Sequence, residues 1–264
     1  MRHLSLFFGL PVLLSAAQPM VREVSLKTPD GFVLRGTLSI PSQPGPRPVV
    51  VLAHQFRADR TGWKPLADLL AARGIATLAM DLRGHGQSTL KDGKPLEITD
   101  DFMGSASTVG FDRIQDDIAQ AAAWVRRQPR IDPRRLALAG SSVGAFAALL
   151  AAREVHPLAV LALSPAGNGA FGDNPENRLA RAVESAHAAV LVMASEGDRE
   201  AAGNAALLKF EPGIYVRLVP GRDHGFAFLP READTMAGWL GEYLTYRYPA
   251  LAPAKPAEGA AEPS

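Results

Sequence analysis

No cysteine occurs anywhere in the 264 residues. Disulfides, thiolate metal sites and lipid attachment through a cysteine are therefore excluded. Aromatic residues are scarce, at 7% of the chain. The basic cluster Arg126, Arg127, Arg130, Arg134 and Arg135 flanks a turn with Pro129 and Pro133 and has no aromatic residues interleaved. It is expected to be a solvated helix end, and no nucleic-acid partner is expected. Neither sign of charge dominates, with 28 basic and 27 acidic residues. Such a balance gives no bias towards charged substrates. Long hydrophobic runs are also missing. The apolar stretch Leu4 to Leu14 is short and is interrupted by Gly9 and Pro11, which argues against a bilayer span.

What that N-terminal stretch does have is the layout of a signal peptide. Arg2 and His3 precede the apolar run, and Ser15-Ala16-Ala17 supplies small residues before Gln18. Cleavage is expected after Ala17, with residues 1–17 removed, no stable membrane span remaining, and a periplasmic or secreted location in a bacterium. An uncleaved anchor or a mistaken start codon is the alternative. At the other end, residues 249–264 are rich in alanine and proline with nothing large to bury, and are expected to be a disordered tail. One domain is expected between them, over residues 21–247.

Within that span the pattern alternates. Val24 to Leu26 and Phe32 to Ile40 flank Thr28-Pro29-Asp30-Gly31, a turn sequence that predicts an opening β-hairpin. Short apolar runs follow at Val49 to Ala53, Ile75 to Met80, Leu136 to Ala139, Leu158 to Leu163, Val190 to Ala194 and Tyr215 to Val219. Runs of this kind suit strands buried on both faces. Ile114, Ile118, Ala121 and Val125 recur at helical spacing, as do Leu66, Leu69 and Leu70. Met236 to Tyr246 predicts a last helix with Trp239, Leu240 and Tyr243 on its packing side. The fold class is therefore α/β: a doubly wound, mostly parallel sheet preceded by a hairpin.

One pentapeptide stands out. Gly140-Ser141-Ser142-Val143-Gly144 has the form GxSxG and lies between an apolar run and an alanine-rich helical pattern. A serine on a sharp strand-to-helix turn is exposed and strained, and glycines two residues either side avoid collisions with neighbouring strand and helix. Ser142 is thus the candidate nucleophile. A serine hydroxyl needs a base, and the base needs a carboxylate behind it. His224, just after the last predicted strand, is the candidate base, and Asp198, in the loop after Val190 to Ala194, the candidate acid. Glu196 and Asp223 are rival carboxylates. An oxyanion would be held by the Val143 N–H and by a second N–H from the loop after Ala53, with Phe56 the candidate and Gln55 the runner-up. His54 is expected to brace that loop.

These segments, together with Asp81-Leu82-Arg83-Gly84-His85-Gly86-Gln87-Ser88, resemble the α/β-hydrolase superfamily, in particular its compact, dienelactone-hydrolase-like group. The resemblance implies the α/β-hydrolase fold without a large cap domain, with Ser142, Asp198 and His224 as catalytic residues and Phe56 and Val143 as the oxyanion hole. It also implies structural roles for Asp81, Arg83 and His85. Where many members have His-Gly, this chain has His54-Gln55. The expected activity is metal-independent and cofactor-free hydrolysis of small carboxylic esters through an acyl-enzyme on Ser142. A prolyl-oligopeptidase-like peptidase, a thioesterase, an acyltransferase, or a non-catalytic cell-envelope binding protein on the same fold are the alternatives. Thr89 to Gly110 is expected either to fold over the site as a flap or to be a solvent-exposed loop.

Overall fold

The computed structural model describes residues 19–172, 174–209 and 211–245. The expected signal peptide and the expected tail lie outside these residues. The chain opens with strands β1 (Met20–Lys27) and β2 (Phe32–Ile40), paired antiparallel. Gly31, at φ +93°, makes the turn between them, in a backbone region that a side chain disfavours.

Beyond the hairpin the chain winds through β3 (Arg47–Ala53), α1 (Lys64–Ala72), β4 (Ala76–Met80), the two-residue strands β5 (Leu90–Lys91) and β6 (Lys94–Pro95), and α2 (Phe102–Val109). Then follow α3 (Ile114–Val125), β7 (Ile131–Ser141), α4 (Val143–Val155), β8 (Ala159–Leu163) and α5 (Pro175–Ala186). The remaining elements are β9 (Ala189–Ser195), α6 (Arg199–Leu208), β10 (Ile214–Val219) and α7 (Leu229–Thr245).

Across the sheet the order is β1-β2-β4-β3-β7-β8-β9-β10, with the β5–β6 hairpin against one end of β2. β2 is antiparallel to β4, and every pair from β4 to β10 is parallel. Strand alternation sends Val49, Val51 and Ala53 to the face covered by α3, α4, α5 and α6. Val50 and Leu52 go to the other face, under Trp63, α1 and α7. Both faces are thus dry, which is why these strands read as continuous apolar runs. The winding direction reverses between β3 and β7, and in open α/β sheets the crevice beyond the strand C-termini at such a reversal is where ligands sit.

Two details refine the sequence pattern. On α7 the fully buried stripe is Ala233, Met236, Ala237, Leu240 and Leu244, and Trp239 and Tyr243 pack against it half-buried, their rings tilted at 54° with centres 4.9 Å apart. The arginine cluster is only in part a solvated end. Arg127 and Arg134 are exposed. Arg126, by contrast, bonds the Val155 carbonyl at 2.9 Å, Arg135 bonds Asp132 at 2.8 Å, and Arg130 reaches the Pro41 carbonyl. Long side chains crossing from the turn to neighbouring carbonyls were invisible to a charge count.

Candidate active site

Ser142 lies between the end of β7 and the start of α4, with φ +55° and ψ −120°. A non-glycine residue in this region carries backbone strain that its surroundings must over-determine. They do so on three sides. Its N–H donates to the Leu163 carbonyl at 2.8 Å, and its own carbonyl accepts from Ala145 and Phe146 N–H at 2.9 and 3.0 Å. A Cβ on Gly140 would overlap the Gly144 carbonyl, and one on Gly144 would overlap the carbonyl oxygens of His54 and Ala53. The two flanking glycines are needed because backbone meets backbone there. The Ser142 hydroxyl has no hydrogen-bond partner among the described residues.

Asp198 and His224 come together from the loops after β9 and β10. His224 Nδ1 lies 2.6 Å from Asp198 Oδ2, with the Asp198 side chain 13% exposed and that of His224 39%. Nδ1 is thereby held on the carboxylate, which leaves Nε2 as the nitrogen able to exchange a proton. The rival carboxylates do not reach the ring: Glu196 is exposed and Asp223 pairs with Arg231. The Asp198 loop is fixed by main-chain bonds, Gly197 N–H to the Gly221 carbonyl and Asp198 N–H to the Ser195 carbonyl, at 2.9 and 3.0 Å.

The two proposed oxyanion donors sit on the pieces expected to carry them. Val143 is the first residue of α4, where an N–H has no intrahelical acceptor. Neither it nor the Phe56 N–H donates to another group among the described residues. The Phe56 ring packs edge-on against Phe102 of α2, with centres 5.1 Å apart, and against His85 at 5.7 Å. Phe102 also closes on Gly167, where an added Cβ would lie 3.0 Å from its ring tip. The 89–110 insertion therefore folds as a hairpin and a helix beside the elbow, with Met103 at 51% exposure on its outer side.

His54 is buried and engaged through both nitrogens. Nε2 accepts from Leu82 N–H at 2.9 Å and Nδ1 lies 2.7 Å from the Gln55 carbonyl, so the ring is neutral with its proton on Nδ1. Burial, reinforced by the neighbouring His85, pushes its pKa down to about 3. The 81–88 turn is equally committed. Asp81 accepts from the main-chain N–H of Arg60 and Gln87 at 2.9 and 2.8 Å and pairs with the Arg60 guanidinium. Arg83 makes two 2.7 Å bonds to Asp117 and one of 2.9 Å to Asp30. Burial raises the Asp117 carboxyl to about 6 against the pull of Arg83. Burial also holds His85 below its ordinary value.

Three contributors escaped the sequence reading. The Gln55 side-chain oxygen accepts from Ser141 Oγ at 3.0 Å and from Phe226 N–H at 2.8 Å. Ser164 Oγ accepts from Gly225 N–H at 3.0 Å. Glu200 of α6 accepts from Gly167 and Asn168 N–H at 2.9 and 2.8 Å, fixing the loop after β8. In the sequence Gln55 stands out as a departure from His-Gly and as the runner-up oxyanion donor, and neither signals its side-chain contacts. A cavity of about 330 Å³ lies between Arg57, Gly84 to Gly86 and Glu97 to Asp100, and none of Ser142, Asp198 and His224 lines it.

Comparison with known proteins adds independent support for the fold. The profile of a family described as Serine aminopeptidase, S33 matches residues 44–199, more than half of the chain. Thiohydrolase apmlB of Arthrinium phaeospermum is 33% identical over 130 residues, 49% of this chain and 38% of that protein. The chain spans about half or less of the length of the curated relatives it matches. Among solved structures, dienelactone hydrolase from Anabaena variabilis superposes with a TM-score of 0.63 at 22% identity, covering 86% of this chain and 97% of that one. Acetyl xylan esterase from Paenibacillus sp. R4 superposes with a TM-score of 0.67 at 21% identity, covering 91% and 88%.

Proposed function

The chain belongs to the serine aminopeptidase S33 family of α/β-hydrolases, and from that membership we propose that it is a serine hydrolase cleaving small carboxylic esters through an acyl-enzyme on Ser142. The observation that carries this reading is the 2.6 Å Asp198–His224 contact in a loop packed against the strained serine turn. A charge-assisted bond of that kind fixes the imidazole tautomer and stabilises the imidazolium formed when it takes a proton.

The steps follow from these groups. Ser142 Oγ attacks the ester carbonyl carbon as His224 Nε2 removes the hydroxyl proton. Negative charge collects on the carbonyl oxygen, where the N–H groups of Val143 and Phe56 receive it, each worth on the order of 3 kcal/mol of transition-state stabilisation. The tetrahedral adduct collapses, the carbon–oxygen bond to the alcohol breaks, and His224 returns its proton to the leaving alkoxide. Water then attacks the acyl carbon with His224 again as base, and the acid leaves as Ser142 recovers its proton. A small substrate is favoured by the short β8–β9 connection, whose described residues form one 3-10 turn, Asn168–Phe171, and the 12-residue α5, little chain for a helical cap.

Hydrolysis of p-nitrophenyl esters from acetate to dodecanoate by wild type and Ser142→Ala tests the reading. Turnover that depends on Ser142 and peaks at short acyl chains is expected. Folded protein without Ser142-dependent turnover on any ester would overturn it. The thiohydrolase among the relatives favours thioesters as a second substrate class, and acyl thioesters belong in the same series. Export with cleavage after Ala17 is part of the proposal, checked by N-terminal sequencing of the exported protein.

A further inference from the structure

The His54-Gln55 pair departs from the superfamily's common His-Gly, and the side chain that glycine would lack is in use. Phe226 N–H can only donate, so the Gln55 amide must turn its oxygen towards it, and Ser141 then donates its hydroxyl proton to the same oxygen. Ser141 is fully buried. It precedes Ser142 by one residue, and Phe226 follows His224 by two. Gly225, at φ +55°, lies between them, pressed so closely that a Cβ there would overlap both the Gln55 amide oxygen and Ser141 Oγ.

One carbonyl oxygen therefore joins the loop of the base to the turn of the nucleophile. The same residue's main chain is held from the other side: its carbonyl accepts from Ala58 N–H at 3.2 Å and faces His54 Nδ1 at 2.7 Å. That fixes the approach to Phe56, the next residue. Gly225 N–H on Ser164 Oγ is the second mooring of the His224 loop.

We propose that Gln55 is a positioning residue, whose side-chain oxygen sets the register of His224 against Ser142. This inference rests on the serine-hydrolase reading. Without the oxygen, the Ser141 hydroxyl and the Phe226 N–H lose their shared acceptor, and the His224 loop loses its hydrogen-bonded link to the elbow, keeping the Gly225 N–H on Ser164 Oγ after β8 and the edge-on packing of the Phe226 ring on Trp63. The fold remains, but the distance from imidazole to hydroxyl is no longer specified. Small misplacements of this kind cost rate rather than binding.

The test uses the full chain with Gln55→Met, a straight-chain residue of similar length that cannot accept, Gln55→Leu as a second apolar variant, and Gln55→Glu, which restores an acceptor at the same reach. Expected is a fall in kcat of about 100-fold for the apolar variants, with KM little changed and thermal unfolding close to wild type. Gln55→Glu should recover most of the lost kcat. In parallel, hydrogen exchange at the Phe226 amide should accelerate in the apolar variants and not in Gln55→Glu. Wild-type kcat in a folded apolar variant would overturn the proposal. So would a kcat loss unaccompanied by faster Phe226 exchange, or an equal loss in Gln55→Glu. The exchange measurement needs no substrate, so failure of the serine-hydrolase reading shows separately, as turnover that survives Ser142→Ala.

Discussion

The 81–88 turn and the 140–144 elbow lie at the C-terminal ends of β4 and β7, the two strands that flank β3, and both are built of glycine, serine and residues set among histidine and aspartate. In the turn, and in His54 beside it, the polar atoms are spoken for. Asp81, Arg83, Ser88 and His54 each bond main chain or buried charge, and among the buried polar atoms of this turn His85 Nε2 lacks a partner, sealed from solvent against aromatic rings. Around the elbow the balance is opposite. The Ser142 hydroxyl is unengaged, and His224 is bonded through one nitrogen with 39% of its side chain exposed. Residue type is shared between the two regions. Accessible, unsatisfied polar atoms are what distinguish a site from a brace.

The largest expected effect breaks that contrast most directly. His224→Gln should lower kcat on the best ester by on the order of 10⁴-fold or more, since in the proposed mechanism it acts with Ser142 and Asp198 as a unit. His85→Gln should keep most of the activity. Equal losses in steady-state assays of the two variants would mean the turn is not a brace. Next in size, Arg83→Met leaves Asp117 and Asp30 without their cation, with Asp117 6% exposed. Urea unfolding should show a loss of about 3–5 kcal/mol, much of it recovered in the double variant Arg83→Met with Asp117→Leu, because the penalty is the stranded charge rather than the missing bond.

His54 sharpens the comparison through pH. Its folded pKa of about 3 lies below the ordinary value of 6.5. The unfolded chain therefore binds a proton first as pH falls. The contribution of this group to stability is intact above pH 6.5 and is lost on acidification towards pH 3, at about 1.4 kcal/mol per pH unit. His54→Asn should be less stable at neutral pH, because the Leu82 N–H loses its acceptor, but its stability should fall less steeply between those limits. Denaturant midpoints measured across the range check the slope, and an unchanged slope would show that His54 is not the neutral, buried brace described here.

Much of this is legible in the sequence. The predicted strands at Val49 to Ala53 and Val190 to Ala194 correspond to β3 and β9, because strands dry on both faces are unbroken apolar runs. The helix marked by Ile114, Ile118, Ala121 and Val125 is α3. Asp198 could be preferred to Glu196 and Asp223 from its place after a strand. The partners of Arg83 could not be read: Asp117 lies 34 residues away on a helix whose apolar stripe hid it, and Asp30 lies 53 away in the hairpin turn. Gln55 stands out in the sequence as a departure and as the runner-up oxyanion donor, but its side-chain role cannot be read there, since what its amide touches comes from residues 86 and 171 positions further on. Helix α2 was missed because its glycine, serines and threonine are poor helix formers. It is started by the Asp101 carboxylate on Met103 N–H at 3.1 Å and ended by Gly110 at φ +80°.

The glycines give the smallest and cleanest separation of the elbow from ordinary helix. Gly144 and Gly203 both sit inside helices, α4 and α6, where alanine is intrinsically the better former by up to about 1 kcal/mol. A Cβ at Gly203 meets nothing within 4 Å, whereas one at Gly144 would overlap the carbonyls that end β3. Gly203→Ala should therefore stabilise by a few tenths to about 1 kcal/mol. Gly144→Ala should destabilise by about 1–3 kcal/mol, the usual cost of overpacking, and lower kcat as well, because relief of the overlap moves Val143 N–H away from the Phe56 loop. Melting curves of the two variants decide it. Opposite signs place the close approach of α4 to β3 at the root of the serine geometry, and a stabilised Gly144→Ala with full activity would remove it.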